Sequence, residues 1–343
     1  MQIKNKIRVL LVDDSALFRG VVSRGISTDP EIEVVATATD PFDARDKIIE
    51  YEPDVMVCDV VMPKMDGIEF IRRLLPQYPL RVVVVSSVSA SVLDAMNAGA
   101  VDFVAKPDIN LGRSTDAFLK DLIETVKIAS KANLSSIKTQ APAFRNVIPN
   151  NPSASRKVIA IGASTGGTEA IFHVLKQLPT NTPGIVIVQH IPPVFSRMFA
   201  ERLNNTTQLR VKEAQSGDTV EQGLVLIAPG DKHMRLKKQA GQFKVEVLEG
   251  EKVNGHCPSV DVLFDSVASV CGNAAVGVIL TGMGSDGAKG LLAMRQKGAR
   301  TIGQDEKSCV VYGMPKVAYD IGAVEKQVPL DNVAQAITSA VSS

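Results

Sequence analysis

The sequence predicts an α/β protein with two domains, and three observations support this prediction. The chain has 343 residues, of which 45% are hydrophobic and 22% are charged, enough for two or three domains of about 100 to 200 residues each. Short β-branched runs alternate with amphipathic segments over most of the sequence. Between about residues 130 and 155 this alternation stops, and Pro, Ser and Asn recur without a sustained period, which is typical of a linker.

Five strands with intervening helices are predicted before the linker, and strand and helix patterns resume after it, so each domain is expected to contain a parallel sheet. One segment differs, because residues 234–248 alternate around Gln-Ala-Gly-Gln as an antiparallel hairpin does. We therefore expect a doubly wound, mostly parallel α/β/α second domain with one antiparallel hairpin. The runs behind this prediction are 8–12, 33–38, 55–59, 82–86 and 101–105 in the first domain, and 157–161, 168–178, 184–189, 195–203, 224–228, 260–270, 276–280, 287–297 and 300–303 in the second.

The composition argues against a membrane or secreted protein. Apolar stretches such as residues 82–85 are far shorter than the roughly 20 residues that a membrane helix needs. The first apolar run is cut at once by Asp13 and Asp14, so it makes no signal-peptide core, and we expect a cytoplasmic protein without direct membrane insertion. No CxxC pair occurs, which favours buried, unreactive thiols over a disulfide framework or a zinc cluster; the cysteines are Cys58, Cys257, Cys271 and Cys309.

Charge is divided unevenly along the chain, although the formal net charge is only +1. Residues 1–130 contain 15 Lys and Arg against 20 Asp and Glu, whereas residues 131–343 contain 23 against 17. Two explanations remain open: chance scatter of surface charge, or domains that attract each other or different partners.

The residues that end the first-domain strands form the first candidate site, because ligands bind outside the carboxyl ends of parallel strands. Asp13 and Asp14 end the first strand, Asp59 ends the third, Ser86 ends the fourth, and Lys106 follows the fifth. Three carboxylates brought together repel one another unless a hard divalent cation such as Mg²⁺ neutralises them. Each residue alone has an ordinary structural explanation, such as helix capping, but together they predict a metal site that clamps a phosphoryl group.

Through these motifs, residues 1 to about 125 resemble the receiver domain of bacterial two-component response regulators. The motifs are Val-Asp-Asp-Ser at 12–15, Cys-Asp-Val-Val-Met-Pro-Lys-Met-Asp-Gly at 58–67 and Phe-Val-Ala-Lys-Pro at 103–107. The resemblance implies a flavodoxin-like, five-stranded parallel sheet that accepts phosphate from a histidine kinase. It implies that Asp59 is the phosphorylated residue and that Asp13, Asp14 and Asp59 bind Mg²⁺. It further implies that Lys106 pairs with the phosphate and that Ser86 and Phe103 are the switch pair that reports phosphorylation. The resemblance also allows a cis bond between Lys106 and Pro107.

The second candidate site begins at the glycine-rich turn 162–167, between a predicted strand and a predicted helix. It fits G-x-S-x-G, in which the Ser164 hydroxyl is exposed and helix N-terminal amides stabilise an oxyanion, but such a turn also suits a nucleotide phosphate. The next strand ends in His190, where a dinucleotide site would need an acidic residue, and an imidazole there suits the general base of a serine nucleophile. Asp286, after the strand 276–280, is the expected carboxylate that orients this base.

The remaining features of the second domain restrict the interpretation further. The chain order Ser, His, Asp differs from the order in α/β-hydrolases and disfavours ordinary lipase or esterase topology. Among the other histidines, His173 lies in a helical pattern, which is typical of a core or surface role. His233 and His256 follow loop signals and are candidates to line the cleft.

Residues 157 to about 331 resemble the catalytic domain of the chemotaxis protein-glutamate methylesterase family. The resemblance departs at Cys257, where the family usually has a basic or other polar residue. The matching stretches are Ile-Gly-Ala-Ser-Thr-Gly-Gly at 161–167, Val-Gln-His-Ile-Pro-Pro at 188–193, Ala-Pro-Gly-Asp-Lys-His-Met at 228–234, Pro-Ser-Val-Asp-Val-Leu-Phe at 258–264, Leu-Thr-Gly-Met-Gly-Ser-Asp-Gly at 280–287 and Gln-Asp-Glu-Lys-Ser-Cys-Val-Val-Tyr-Gly-Met-Pro at 304–315.

This second resemblance implies that Ser164, His190 and Asp286 hydrolyse glutamate methyl esters on the cytoplasmic part of chemoreceptors and deamidate certain receptor glutamines. It implies an oxyanion held by the amides of Thr165 and Met283, no cofactor for hydrolysis, and a receiver that covers the cleft until it is phosphorylated. We accordingly predict a receiver at 1–127, a linker at 128–155 and a methylesterase domain at 156–343.

The expected partners are chemoreceptors as substrate and a chemotaxis histidine kinase as phosphodonor, with no nucleic acid and with a monomeric chain. The alternative is a response regulator with a non-enzymatic output, either nucleotide sensing through residues 162–167 or DNA binding. Against DNA binding stands the lack of a clear helix-turn-helix, basic stripe or interleaved aromatics, and against nucleotide sensing stands His190.

Overall fold

The computed structural model describes residues 6–62, 65–87, 89–107, 114–134 and 157–342. The chain divides into two compact units, residues 1–137 and 138–343, and each is described by itself. Most of the predicted linker 128–155 lies outside the described residues.

The N-terminal unit alternates strands and helices in the predicted order, and its strands agree with the predicted runs to within one residue. Its helices begin at side chains that accept hydrogen bonds from their first turns; such caps include Ser15, Asp40, Asp66 and Ser114. The elements are β1 (Ile7–Val12), α1 (Ala16–Ile26), β2 (Ile32–Ala38), α2 (Pro41–Tyr51), β3 (Val55–Asp59), α3 (Gly67–Leu74), β4 (Arg81–Ser86), α4 (Ser89–Asn97), β5 (Asp102–Ala105) and α5 (Thr115–Ala129).

The sheet of this unit has the order β2-β1-β3-β4-β5, and its strand pairs are parallel. Every residue of β3 is buried, as expected for a strand with helices on both faces, which is why the sequence reads as a continuous apolar run. The order 2-1-3-4-5 is that of flavodoxin-like folds, so the predicted fold of the first domain is confirmed.

The C-terminal unit contains the predicted elements, with ends shifted by at most three residues, and four strands and α-helices that were not predicted, namely β8, α10, β14 and α11. A short 3₁₀ helix, Gly272–Ala274, follows α8 and was not predicted either. Its elements are β6 (Val158–Ala163), α6 (Gly167–Gln177), β7 (Gly184–Gln189), α7 (Phe195–Thr206), β8 (Arg210–Glu213), β9 (Leu224–Ile227), β10 (His233–Gln239), β11 (Gln242–Leu248), α8 (Val260–Cys271), β12 (Ala275–Ile279), α9 (Ala288–Gln296), β13 (Arg300–Gln304), α10 (Met314–Asp320), β14 (Lys326–Val328) and α11 (Leu330–Ser342).

Seven strands of this unit form one sheet in the order β14-β13-β12-β6-β7-β9-β8, with parallel pairs throughout. The two remaining strands, β10 and β11, form the predicted antiparallel hairpin, which packs on α8 through apolar residues such as Leu236. From β6 the chain first builds the β7 side of the sheet and then returns to build the β12 side. The strand order therefore reverses at β6, where a doubly wound sheet binds its ligands.

Two details of the chain correct or refine the predictions. The Lys106–Pro107 bond is trans, contrary to the cis bond that the receiver resemblance allowed, whereas the Cys257–Pro258 bond is cis. All four cysteines are free thiols, and three are buried as predicted, but Cys257 is partly exposed.

Within the ranges that the structure describes, no helix has the length and apolar character needed to cross a membrane.

Candidate functional site

The acidic residues of the N-terminal unit meet where its strand order reverses. Asp13 follows β1 and Asp59 ends β3, so the two lie on either side of this point. One carboxylate oxygen from each of Asp13, Asp14 and Asp59 lies within 4.8 Å of the others. Asp14 is exposed, whereas Asp13 and Asp59 are buried. Hard carboxylate oxygens in this arrangement suit Mg²⁺, which binds through one or two carboxylates and keeps several waters.

Lys106 supplies the positive charge at this site. Its ammonium donates to Asp13 Oδ2 and to Asp59 Oδ2, each at 2.8 Å. Burial raises the pKa of the Asp59 carboxyl above its ordinary value, although the bond from Lys106 works in the opposite direction. Burial also disfavours the charge of Lys106, but its two carboxylate partners raise its pKa, so the ammonium stays charged. Asp59 is therefore a buried carboxylate whose negative charge is incompletely compensated.

The predicted switch residues lie on the two neighbouring strands. Ser86 is fully buried at the end of β4, and its carbonyl accepts a hydrogen bond from the Lys106 amide at 3.0 Å. Phe103 lies on β5 opposite Val84 and is partly buried against the core of the unit. Ser86 is thus hydrogen-bonded to the backbone of Lys106, whereas Phe103 precedes Lys106 by three residues in the chain.

In the C-terminal unit, sheet register brings Ser164 and His190 together. Ala163 and Gln189 are aligned on the parallel pair β6–β7, so the next residue of each strand lies at the same sheet edge. The His190 amide donates to the Ala163 carbonyl at 3.1 Å, which fixes this alignment past the ends of the strands. A side chain at Gly162 would collide with Val260 of α8, which explains the first glycine of the motif.

Asp286, which follows β12 on the other side of β6, binds the imidazole of His190. Nε2 of His190 and Oδ2 of Asp286 are 2.8 Å apart, and Asp286 is only 1% exposed. Burial alone would raise the pKa of Asp286, but the hydrogen bonds that it accepts, first that of His190, hold its pKa well below the usual range. Within the described ranges its donors are His190 Nε2 (2.8 Å), Asn254 Nδ2 (2.9 Å), Ser259 Oγ (2.7 Å), the Val260 amide (2.7 Å) and the Asp261 amide (3.2 Å).

The contact between His190 and Asp286 determines the role of each ring nitrogen. Since Asp286 is ionised and acts only as an acceptor, Nε2 of His190 carries the proton. Nδ1 is then the basic nitrogen; it is buried and has no hydrogen-bond partner among the described residues. A buried basic nitrogen at the strand end next to Ser164 suits proton abstraction from that hydroxyl.

The two predicted oxyanion residues flank Ser164. Thr165 follows it directly, and its carbonyl accepts a hydrogen bond from the Thr281 hydroxyl at 3.0 Å. Met283 belongs to the loop after β12, whose Gly282 is packed so closely on Ser164 that a Cβ there would lie 2.7 Å from Ser164 Cβ. Thr165 is thus next to the serine in the chain, and Met283 is next to the glycine that packs on the serine.

Several residues that hold the site were not predicted from the sequence. Asn254, Ser259 and Val260 all bind Asp286, and Gln189 donates from its amide side chain to the Ser164 carbonyl at 2.9 Å. A turn at Asn254 could have been predicted from the sequence, because Asn-Gly is strongly preferred in tight two-residue turns. Nothing in the sequence indicated that this turn lies against Asp286.

The other histidines have separate roles. His256 was a candidate to line the cleft, and its ring lies directly against that of His190. His233 is 3% exposed and holds loops together, with Nδ1 accepting from the Ser259 amide and Nε2 contacting the Glu251 carbonyl. His173 lies on α6 beside Asp331 of α11, at 2.8 Å, away from the strand ends.

Fold and site together define a class of protein, a serine-type hydrolase domain with a doubly wound parallel sheet, preceded in sequence by a phosphate-accepting receiver domain. The match to known families agrees: residues 159–337 match the CheB methylesterase domain, and residues 9–113 match the response regulator receiver domain. The chain belongs to the CheB methylesterase family and carries a receiver domain in front of its methylesterase domain.

Curated relatives match over nearly the whole chain. Protein-glutamate methylesterase/protein-glutamine glutaminase 2 of Syntrophomonas wolfei is 62% identical over 334 residues, which is 97% of each chain. The Syntrophotalea carbinolica protein with the same activities in its name is 52% identical over 346 residues, covering 98% of each. Among solved structures, the Thermotoga maritima CheB methylesterase catalytic domain has a TM-score of 0.53 and 39% identity, covering 54% of this chain and 98% of that one.

Proposed function

We propose that this chain is a phosphorylation-regulated hydrolase that removes methyl esters from glutamate residues of chemoreceptors and deamidates receptor glutamines. The observation that carries the proposal is the His190–Asp286 pair, in which Nδ1 of His190 is buried at the strand end next to Ser164 and has no hydrogen-bond partner among the described residues. The names of the two relatives described above supply the reaction, on glutamate methyl esters and glutamines of proteins, since these relatives share at least 52% identity with this chain over nearly its whole length. The chemoreceptor as the protein substrate is what the resemblance to the chemotaxis family implies.

The proposed reaction proceeds through an acyl-enzyme. The Ser164 oxygen attacks the ester carbonyl while Nδ1 of His190 takes the hydroxyl proton, and Asp286 stabilises the imidazolium through its bond to Nε2. Amides of Thr165 and Met283 hold the oxyanion. His190 then gives the proton to the departing methoxy group, and methanol leaves.

Water completes the cycle. The same Nδ1 of His190 takes a proton from water, whose oxygen attacks the glutamyl ester of Ser164, and the serine leaves with its hydroxyl restored. With a glutamine side chain the sequence is the same, except that ammonia leaves in the first half. No step requires a cofactor.

Phosphorylation is proposed at Asp59, with a chemotaxis histidine kinase as the phosphodonor. Asp13, Asp14 and Asp59 would hold Mg²⁺, which supplies charge neutralisation for the transferred phosphoryl group. The Lys106 ammonium, already 2.8 Å from Asp59, binds a phosphate oxygen, and Ser86 and Phe103 transmit the change. We propose a cytoplasmic location, because the proposed substrate is the cytoplasmic part of chemoreceptors.

Methanol release tests this function. Wild type, Ser164→Ala and the control Ser269→Ala, an exposed serine on α8, are incubated with methylated receptor membranes, each with and without a small-molecule phosphodonor and Mg²⁺. We expect release by wild type and control that rises with phosphodonor, and a loss on the order of 10⁴-fold or more for Ser164→Ala. Release that persists in Ser164→Ala would refute the serine mechanism, and release that ignores the phosphodonor would refute the switch.

A further inference from the structure

The imidazole of His256 lies flat against that of His190. The two ring centroids are 3.7 Å apart, and the ring planes are inclined by only 11°. His256 contributes to none of the bonds of the proposed triad, yet it covers one whole face of the proposed general base. Its place is therefore not explained by the mechanism above.

A tight turn places His256 there and is itself attached to the site. Val253 and His256 exchange backbone hydrogen bonds of 2.9 and 3.0 Å across Asn254 and Gly255, which both have positive φ, 53° and 84°. This is the geometry that an Asn-Gly dipeptide favours in a two-residue hairpin loop. One short turn thus carries the ring that stacks on His190.

The side chain of Asn254 anchors the turn to two carboxylates. Its Nδ2 donates to Asp286 Oδ1 at 2.9 Å and to Asp261 Oδ2 at 2.7 Å. The turn therefore contacts both members of the His190–Asp286 pair, one through the amide of Asn254 and the other through the ring of His256. A turn that contacts both His190 and Asp286 is suited to fixing the geometry between these two side chains.

We infer that His256 is a positioning residue for the general base: its stacked ring holds the His190 imidazole in the plane in which Nε2 meets Asp286 and Nδ1 stays open toward Ser164. This inference rests on the proposed function for its catalytic consequence, whereas the ring geometry stands by itself. Rotation of the imidazole out of this plane would break the bond to Asp286 and misdirect Nδ1, and misplacement of a reacting group by about 1 Å costs on the order of 10²-fold in rate.

The charge state of His256 suits this role. Burial, together with repulsion from His190, lowers the pKa of His256 to about 4, so the ring is neutral when His190 accepts a proton. The charged groups that face it are His190 and Lys252, which disfavour its protonation, and Asp286, which favours it. A neutral π-face attracts the imidazolium that forms on His190, whereas a second cation 3.7 Å away would repel it.

Substitution separates a stacking role from a merely structural one. In the full-length, phosphodonor-activated chain we expect His256→Phe, which keeps a flat ring, to retain kcat to within about 3-fold. His256→Ala and the similarly sized but non-aromatic His256→Asn should lose about 10- to 100-fold in kcat with little change in KM, because orientation rather than binding is lost. Glu249→Ala is the matched control, since Glu249 is exposed in the same loop and is not among the charged groups that act on His256. Equal loss in His256→Phe and His256→Asn would overturn the inference.

A second readout does not depend on substrate. The proton that His190 Nε2 shares with the buried Asp286 is expected to give a far-downfield ¹H NMR signal. It should persist in wild type and His256→Phe and broaden or vanish in His256→Asn, with unchanged far-UV circular dichroism. A signal that stays sharp in His256→Asn would overturn the inference. If wild type released no methanol yet the signal depended on the ring, the proposed function would fail while the positioning role stood.

Discussion

The two units each place a buried aspartate where the strand order of the sheet reverses, and they treat its charge in opposite ways. Asp59 is 6% exposed and Asp286 is 1% exposed. Asp286 accepts five hydrogen bonds from described residues, and its pKa is held well below the usual range. Asp59 is bonded to Lys106 and the Val60 amide, with a longer contact of 3.4 Å from the Val61 amide, and burial raises its pKa.

The difference shows how one position in a parallel sheet serves two kinds of chemistry. A carboxylate surrounded by donors is ionised and immobile, so it orients a base without reacting itself. A buried carboxylate with few donors gains from every positive charge brought to it, so it suits a residue that binds a cation and accepts a phosphoryl group. The surrounding donors, rather than the residue type, decide which role the aspartate has.

Of the three substitutions that test this comparison, Asp286→Asn should have the largest effect. An amide offers one acceptor oxygen and one NH₂ group in place of two acceptor oxygens, so His190 loses its ionic partner and the other four donors lose part of theirs. We expect kcat for methanol release to fall roughly 10³- to 10⁴-fold, less than for Ser164→Ala. Asp265→Asn on the outer side of α8 should leave kcat within about 2-fold of wild type. A loss below 10-fold for Asp286→Asn would remove Asp286 from the mechanism.

Asp59→Asn should change stability in the favourable direction. Because burial raises the pKa of Asp59 above its ordinary value of 3.8, this carboxyl binds a proton more readily in the folded receiver than in the unfolded chain. At any pH above the folded-state pKa, the ionised carboxylate therefore lowers the stability of the folded receiver. At pH 7 we expect the variant to unfold a few degrees higher, as a gain of about 1 kcal/mol implies for a domain of this size. Mg²⁺ should raise Tm in wild type, by binding the folded state, but not in the variant. A lower Tm for Asp59→Asn without Mg²⁺ contradicts the proposed charge imbalance.

Phe18→Leu should have the smallest effect. The Lys106 ammonium lies 4.4 Å from the centre of the Phe18 ring while it is bonded to two carboxylates. Cation–π attraction of this kind contributes about 0.5–1 kcal/mol, and Phe18 also contacts Phe118. A double-mutant cycle with Lys106→Met isolates the first contact, and chemical denaturation should give a coupling energy of about 0.5–1 kcal/mol. A coupling energy of zero would show that the ring merely fills space.

The large features were readable from the sequence because strands buried on both faces produce continuous β-branched runs, and their ends locate Asp59, Ser164 and His190. The short edge strands β8 and β14 were missed, since four and three residues of mixed polarity carry too little pattern. Helix α11 had a readable signal, because its buried residues recur at helical spacing, as Val333, Ala334 and Ile337 do.

The fine structure of the site was not predictable in the same way. Asn254 was readable as part of a turn, but its function depends on Asp286, 32 residues away in sequence, and on the buried Asp261. The stacking of His256 on His190 likewise depends on how the loop before α8 packs against the end of β7. Local patterns specify the turn, whereas tertiary packing specifies what the turn touches.

The position of β6 at the centre of its sheet also bears on synthesis of the chain. Ser164 and His190 directly follow β6 and β7, which are neighbours in sequence and in the sheet, so the two residues can meet early as the chain emerges. Asp286 lies 96 residues beyond His190, after β12, which pairs with β6 on the side opposite β7. Until β12 has been synthesised, the edge of β6 opposite β7 is unpaired and His190 lacks the carboxylate of Asp286. On the proposed mechanism, we therefore expect the nascent chain to gain hydrolase activity only after β12 has paired with β6.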